Sequence, residues 1–93
     1  MRINVTDKHI KYGRPKSDCY CPIAIAINEA MRSISDDPRA SVGPFFTSVY
    51  QADKLVNNRF SAENPAEVTE FIKKYDLGHK VEPFSFELNL VLL

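Results

Sequence analysis

From Phe84 to Leu92 every second residue is apolar: Phe84, Phe86, Leu88, Leu90 and Leu92, with Ser85, Glu87 and Asn89 between the first of them. A strand turns successive side chains to opposite faces, so this spacing sets all five on one side. A chain with such a segment must build a sheet with one apolar face and must supply something to cover it.

Two segments suit that task. Pro22 opens a helix at the first helical position, where a missing N–H costs nothing. Ile23, Ile27, Ala30, Met31 and Ile34 then form one apolar stripe, which Ala24, Ile25 and Ala26 widen. Asn64-Pro65-Ala66-Glu67 has the composition of a second helix start, with Asn64 as the cap, and Val68, Phe71, Ile72 and Tyr75 follow at amphipathic spacing up to Gly78. Arg2 to Val5 alternates as a short strand. Thr6 caps a brief helix over Asp7 to Tyr12, closed by Gly13. Ala40-Ser41-Val42, the turn signal Gly43-Pro44 and the run Phe45 to Tyr50 predict a β-hairpin. Residues 51–62 are open between strand and loop: Leu55, Val56 and Phe60 suit a strand, and Asn57-Asn58 suits a turn. The expected architecture is one α+β domain over residues 1–93. It has a mostly antiparallel sheet of about four strands, two main helices on one face, and residues 84–92 as a long central strand.

Length and charge narrow the function. A chain of 93 residues supports one modest core and leaves little room for a deep pocket. Twelve basic residues balance twelve acidic ones, which disfavours direct nucleic-acid binding driven by overall charge. The chain has no apolar run of about 18 residues and no apolar leader, so no membrane span and a cytoplasmic location are expected. Charge is uneven: residues 1–16 hold five cations against Asp7, and residues 60–93 hold three lysines against six acids.

The segment most able to carry chemistry is Cys19-Tyr20-Cys21-Pro22, which leads into a helix N-terminus. Four readings stay open. The cysteines can be small buried hydrophobes, or reactive thiols activated by the helix dipole. They can ligate zinc together with His9 and His79. The helix N–H groups around Cys21, Ile23 and Ala24, beside Arg14 and Lys16, can hold a phosphate, as in a nucleotide-binding sponge. His9 and His79 otherwise suit capping or loop positions. Tyr12, Tyr20, Phe45, Phe46 and Tyr50 suit core packing or, alternatively, an aromatic interaction surface. No catalytic constellation is legible, so neither an enzyme nor a cofactor is expected.

Asp7-Lys8-His9-Ile10, Gly13, the run Cys19-x-Cys21-Pro22-Ile23-Ala24-x-Ala26-Ile27, and the stretch from Glu67-Val68 through Phe71-Ile72, Tyr75-Asp76, Gly78 and Val81 to Pro83-Phe84-x-Phe86-x-Leu88 resemble a group of small, functionally uncharacterised proteins of tailed bacteriophages. The resemblance leaves out residues 35–62 and carries no site residue. It implies a reducing host cytoplasm and free cysteines. In that setting the expected function is stoichiometric inhibition of a bacterial host protein complex, such as an antiviral defence system, in an anti-CRISPR-like manner. The expected contact residues are Phe45, Phe46, Tyr50, Arg14 and Lys16. A homodimer through the C-terminal strand is a further expectation.

Overall fold

Strand β1, Arg2–Val5, sends Ile3 and Val5 into the core. Helix α1, Asp7–Tyr12, follows at once: the Thr6 hydroxyl accepts from the His9 N–H, and the His9 ring accepts from the Thr6 N–H. Gly13 ends α1 in an extended conformation, so the need for glycine there is steric. A Cβ at this position would stand 2.7 Å from the Pro22 ring. The computed structural model describes residues 1–53 and 56–93. Among them, α2 spans Pro22–Met31, β2 Pro38–Val42, β3 Phe46–Asp53, β4 Val56–Glu63, α3 Ala66–Asp76, β5 Phe84–Glu87 and β6 Val91–Leu92.

The strands form two antiparallel sheets, a four-stranded one in the order β2-β3-β4-β6 and a two-stranded one pairing β1 with β5. The α+β expectation holds, and so does the hairpin around Gly43-Pro44. Ile23, Ala24, Ala26, Ile27 and Met31 of α2 form the core together with Ala40, Val42, Val49, Ala62, Val68, Phe71, Phe86 and Leu88. The free edge of β2 is closed by the chain itself. Ala40 N–H donates to Asn28 Oδ1 at 2.8 Å and Val42 N–H to the Asp18 carbonyl at 2.8 Å.

Three local expectations are corrected, and the open reading of residues 51–62 is resolved for the described ones. Residues 84–92 are not one central strand. β5 pairs with β1, the Leu88 N–H bonds the Met1 carbonyl, and the chain crosses to become β6 at the edge of the other sheet. Asn57 and Asn58 lie within β4, opposite Ala52 and Gln51, while Leu55 lies outside the described residues. α2 stops at Met31 and passes into a turn in which the Ile34 and Ser35 N–H groups both bond the Met31 carbonyl; Ile34, on that turn, is exposed. Asn64 does not cap α3. Its carboxamide ties the β2–β3 turn instead: Nδ2 donates to the Gly43 carbonyl and Oδ1 accepts from the Thr47 hydroxyl at 2.6 Å. Gly78 does end α3, in the left-handed region at φ +79°.

Candidate functional site: the outer sheet face

Alternation along β2, β3 and β4 gives the larger sheet two unlike faces. Pro38, Ala40, Val42, Thr47, Val49 and Ala62 are buried on the inner face. Arg39, Phe46, Ser48, Arg59, Glu63 and Val91 are exposed on the outer face, with Ser41, Tyr50 and Ser61 half-buried among them. Among the described residues the buried positions of these strands lie on the inner face, and the outer one is exposed or half-buried.

Two rows cross that face. Tyr50 stands opposite Arg39 on β2 and opposite Arg59 on β4, and the Arg59 guanidinium lies 5.5 Å from the Tyr50 ring centre. The adjacent row is Ser41, Ser48 and Ser61, continued by Val91 of β6. Arg39, Ser41, Ser48, Tyr50 and Arg59 frame an open hollow of about 360 Å³. Phe46, Ala62, Pro65 and Val91 line another of about 530 Å³, with Glu63 and Glu87 at its rim. Phe46 is 58% exposed, and Phe45, in the turn before it, 64%.

The expected contact set is divided by the structure. Phe46 and Tyr50 share this face and Phe45 adjoins it. Arg14 and Lys16 belong to the α1–α2 loop: Arg14 packs over Tyr20, and the Lys16 N–H donates to Asp76 Oδ1 on α3. Tyr12 and Tyr20 are exposed, against the expectation that they pack in the core. Arg39 and Arg59 were not anticipated. They are twenty residues apart in sequence and come to flank Tyr50 only through the strand register, which no local pattern encodes.

The Cys19–Pro22 segment is closed. Cys21 is buried and serves as the α2 N-cap, its Sγ accepting from the Ala24 N–H at 3.4 Å. Ile23 and Ala24 are fully buried. The N–H groups expected to hold a phosphate therefore face the chain's own sulfur, and the anion site is not formed. Burial pushes the Cys21 thiol pKa up, with Asp76 and Asp18 adding to the effect, which opposes the reactive-thiol reading. The zinc set is not assembled either. Among the described residues no three His, Cys, Asp or Glu side chains cluster at metal-binding geometry. Cys19 is exposed, and His79 lies in the exposed loop after α3, its N–H on the Lys74 carbonyl.

His9 is buried and has a structural task. Nδ1 accepts from the Thr6 N–H at 3.0 Å, so the proton sits on Nε2, which meets Glu29 Oε2 at 2.9 Å. This bond, first, and the surrounding cations hold the Glu29 carboxyl below its ordinary range. A depressed carboxylate pKa stabilises the fold above the unfolded value, and the contribution fades as pH falls through the folded value. The stability advantage over Glu29→Gln, read as the urea midpoint, should therefore shrink between about pH 5 and pH 3. Glu29 is exposed and solvent-screened, so the effect is small. A difference that stays constant with pH would contradict the assignment.

Compared with known protein families, curated proteins and solved structures, the chain has no significant match in any of the three. Among the described residues no helix is long and apolar enough to cross a membrane.

Proposed function

We propose that this chain is a stoichiometric protein-binding module that engages its partner through the outer face of the four-stranded sheet. The observation that carries this reading is the uncovered face itself, with Phe46 and Phe45 largely exposed at one end and Tyr50 held by Arg59 at the other. Natural interfaces concentrate their binding energy in aromatic and arginine anchors of this kind. The resemblance to small phage proteins supports a partner class, a bacterial host protein complex such as a defence system, met in the host cytoplasm. Binding rather than turnover is the mode of action: the partner is occupied, not modified.

The test is affinity capture from bacterial lysate with the parent chain and with a Phe46→Ser, Tyr50→Ser double variant, read by native mass spectrometry for stoichiometry and oligomeric state. Both positions lie on the solvent side, so the variant keeps the parent's circular dichroism spectrum. The expected result is a defined complex with the parent and at least about tenfold less of it with the variant, since anchor truncations cost over 1 kcal/mol each. Undiminished capture by the variant would overturn the reading.

A further inference from the structure

The outer face differs in charge from one end to the other. At the Tyr50 end stand Arg39 and Arg59; at the Phe46 end stands Glu63, opposite Phe46 in the register, while Glu87 on the same hollow is paired with the Met1 ammonium at 2.7 Å. Phe46, Ser48 and Tyr50 point outward from one strand, so the two ends are separated by four residues of β3, about 13 Å. Asp37 Oδ2 accepts from Arg39 Nε at 3.2 Å and Nη2 at 2.9 Å, which leaves the other side of that guanidinium facing solvent. Among the described residues no carboxylate pairs with Arg59, whose guanidinium is held against the Tyr50 ring. A guanidinium beside an aromatic ring keeps its N–H donors, and their fork geometry suits bidentate capture of a carboxylate. Ser41 and Ser48 bring hydroxyl donors to the same hollow.

We propose that this face binds an extended acidic segment of the partner protein. A carboxylate seats over the Arg39–Tyr50–Arg59 row, and an apolar side chain four residues away along the segment rests against Phe46. The proposal rests on the protein-binding reading above and names the chemistry of the partner. A nucleic acid fits less well. Its continuous line of phosphates, running along β3, would pass from the arginines onto Glu63. A protein segment can place one anion at the cationic end and an uncharged residue at the other.

The probe is a capped pentapeptide, Glu-Thr-Val-Thr-Leu, whose Glu and Leu share a face when extended. It is titrated into ¹⁵N-labelled protein to about 5 mM, a range that detects millimolar binding. The expected result is movement of the Arg39 and Arg59 side-chain Nε–H signals and of the Phe46 amide. Affinity should fall at least about tenfold for Arg59→Gln and for the peptide with Gln in place of Glu. The affinity of Arg59→Lys, which keeps the charge and loses the fork, should fall between those of the parent and Arg59→Gln. Equal binding of the Gln peptide would overturn the proposal. So would a thymidine oligonucleotide that moves the same arginine signals at lower concentration than the peptide. The two failures are distinguishable. Lysate capture that depends on Phe46 and Tyr50 but is unchanged by Arg39→Gln, Arg59→Gln removes the acidic-segment proposal alone. Capture that ignores Phe46 and Tyr50 removes the binding face itself.

Discussion

Phe86→Ala should destabilise the protein by about 3–5 kcal/mol, the cost of truncating a buried aromatic ring and leaving a cavity. Phe86 is 1% exposed and sits on β5 opposite Ile3 of β1. It also closes a column of rings: Tyr75 and Phe71 on α3 are 5.8 Å apart, Phe71 and Phe84 5.1 Å, and Phe84 and Phe86 5.6 Å. That column holds α3 against the two-stranded sheet, so the truncation weakens two attachments together. A chain of this length has a total stability of about 5–14 kcal/mol. The urea midpoint should therefore fall by about 2–4 M. Phe46→Ala, on the exposed face, should change the unfolding free energy by no more than about 0.5 kcal/mol. Similar shifts for the two variants would contradict the burial assigned to them.

The second large effect concerns Asn64 and Thr47. The Thr47 hydroxyl is buried at 1% residue exposure, and its partner is Asn64 Oδ1. Asn64→Ala strands that hydroxyl and frees the Gly43 carbonyl, a loss of about 2–3 kcal/mol. Thr47→Val leaves Asn64 Oδ1 without its donor and costs about 1–2 kcal/mol. In the double variant the buried hydroxyl and its acceptor disappear together. Its cost should fall short of the sum by about 1 kcal/mol or more, measured as a double-mutant cycle from urea unfolding. Strict additivity would show that the two side chains do not meet.

The same pair marks where sequence reasoning works and where it stops. Asn64-Pro65-Ala66-Glu67 does announce a helix, and α3 begins at Ala66. The pattern cannot tell that the carboxamide is drawn away by a turn some twenty residues earlier. Local capping and a tertiary hydrogen bond use the same donor and acceptor atoms, and only the fold decides between them. The 84–92 alternation is a related case. Phe86 and Leu88 are buried and Phe84 and Leu90 half-buried, so the periodicity marks a core-facing set as far as Leu90, while Leu92 on the edge strand β6 is 57% exposed. It is silent on the crossing between sheets, because both sheets bury side chains in the same core and neither glycine nor proline marks the break. Thr6, Pro22 and Gly78, by contrast, act on the helix end beside them, Thr6 through its hydroxyl and the other two through backbone geometry, and each is legible from local chemistry.

The candidate site was half legible. Phe46 and Tyr50 stand out by composition and position. Arg39 and Arg59 become partners of Tyr50 only once β4 is paired with β3, and pairing is a property of register. The Cys19–Pro22 segment drew attention for sound reasons, since a helix N-terminus beside cations can bind anions. Burial reverses the conclusion: Cys21 takes the helix cap for itself.

The most direct test of the binding face is hydroxyl-radical footprinting of the free chain and of its captured complex. Phe45, Phe46, Tyr12, Tyr20 and Leu77 are each more than half exposed, and Tyr50 is partly so; all should be labelled in the free chain. In the complex, Phe45, Phe46 and Tyr50 should be protected while Tyr12, Tyr20 and Leu77 stay reactive. Protection of Tyr12, Tyr20 or Leu77, with Phe46 and Tyr50 still labelled, would place the partner away from the outer sheet face and contradict the account.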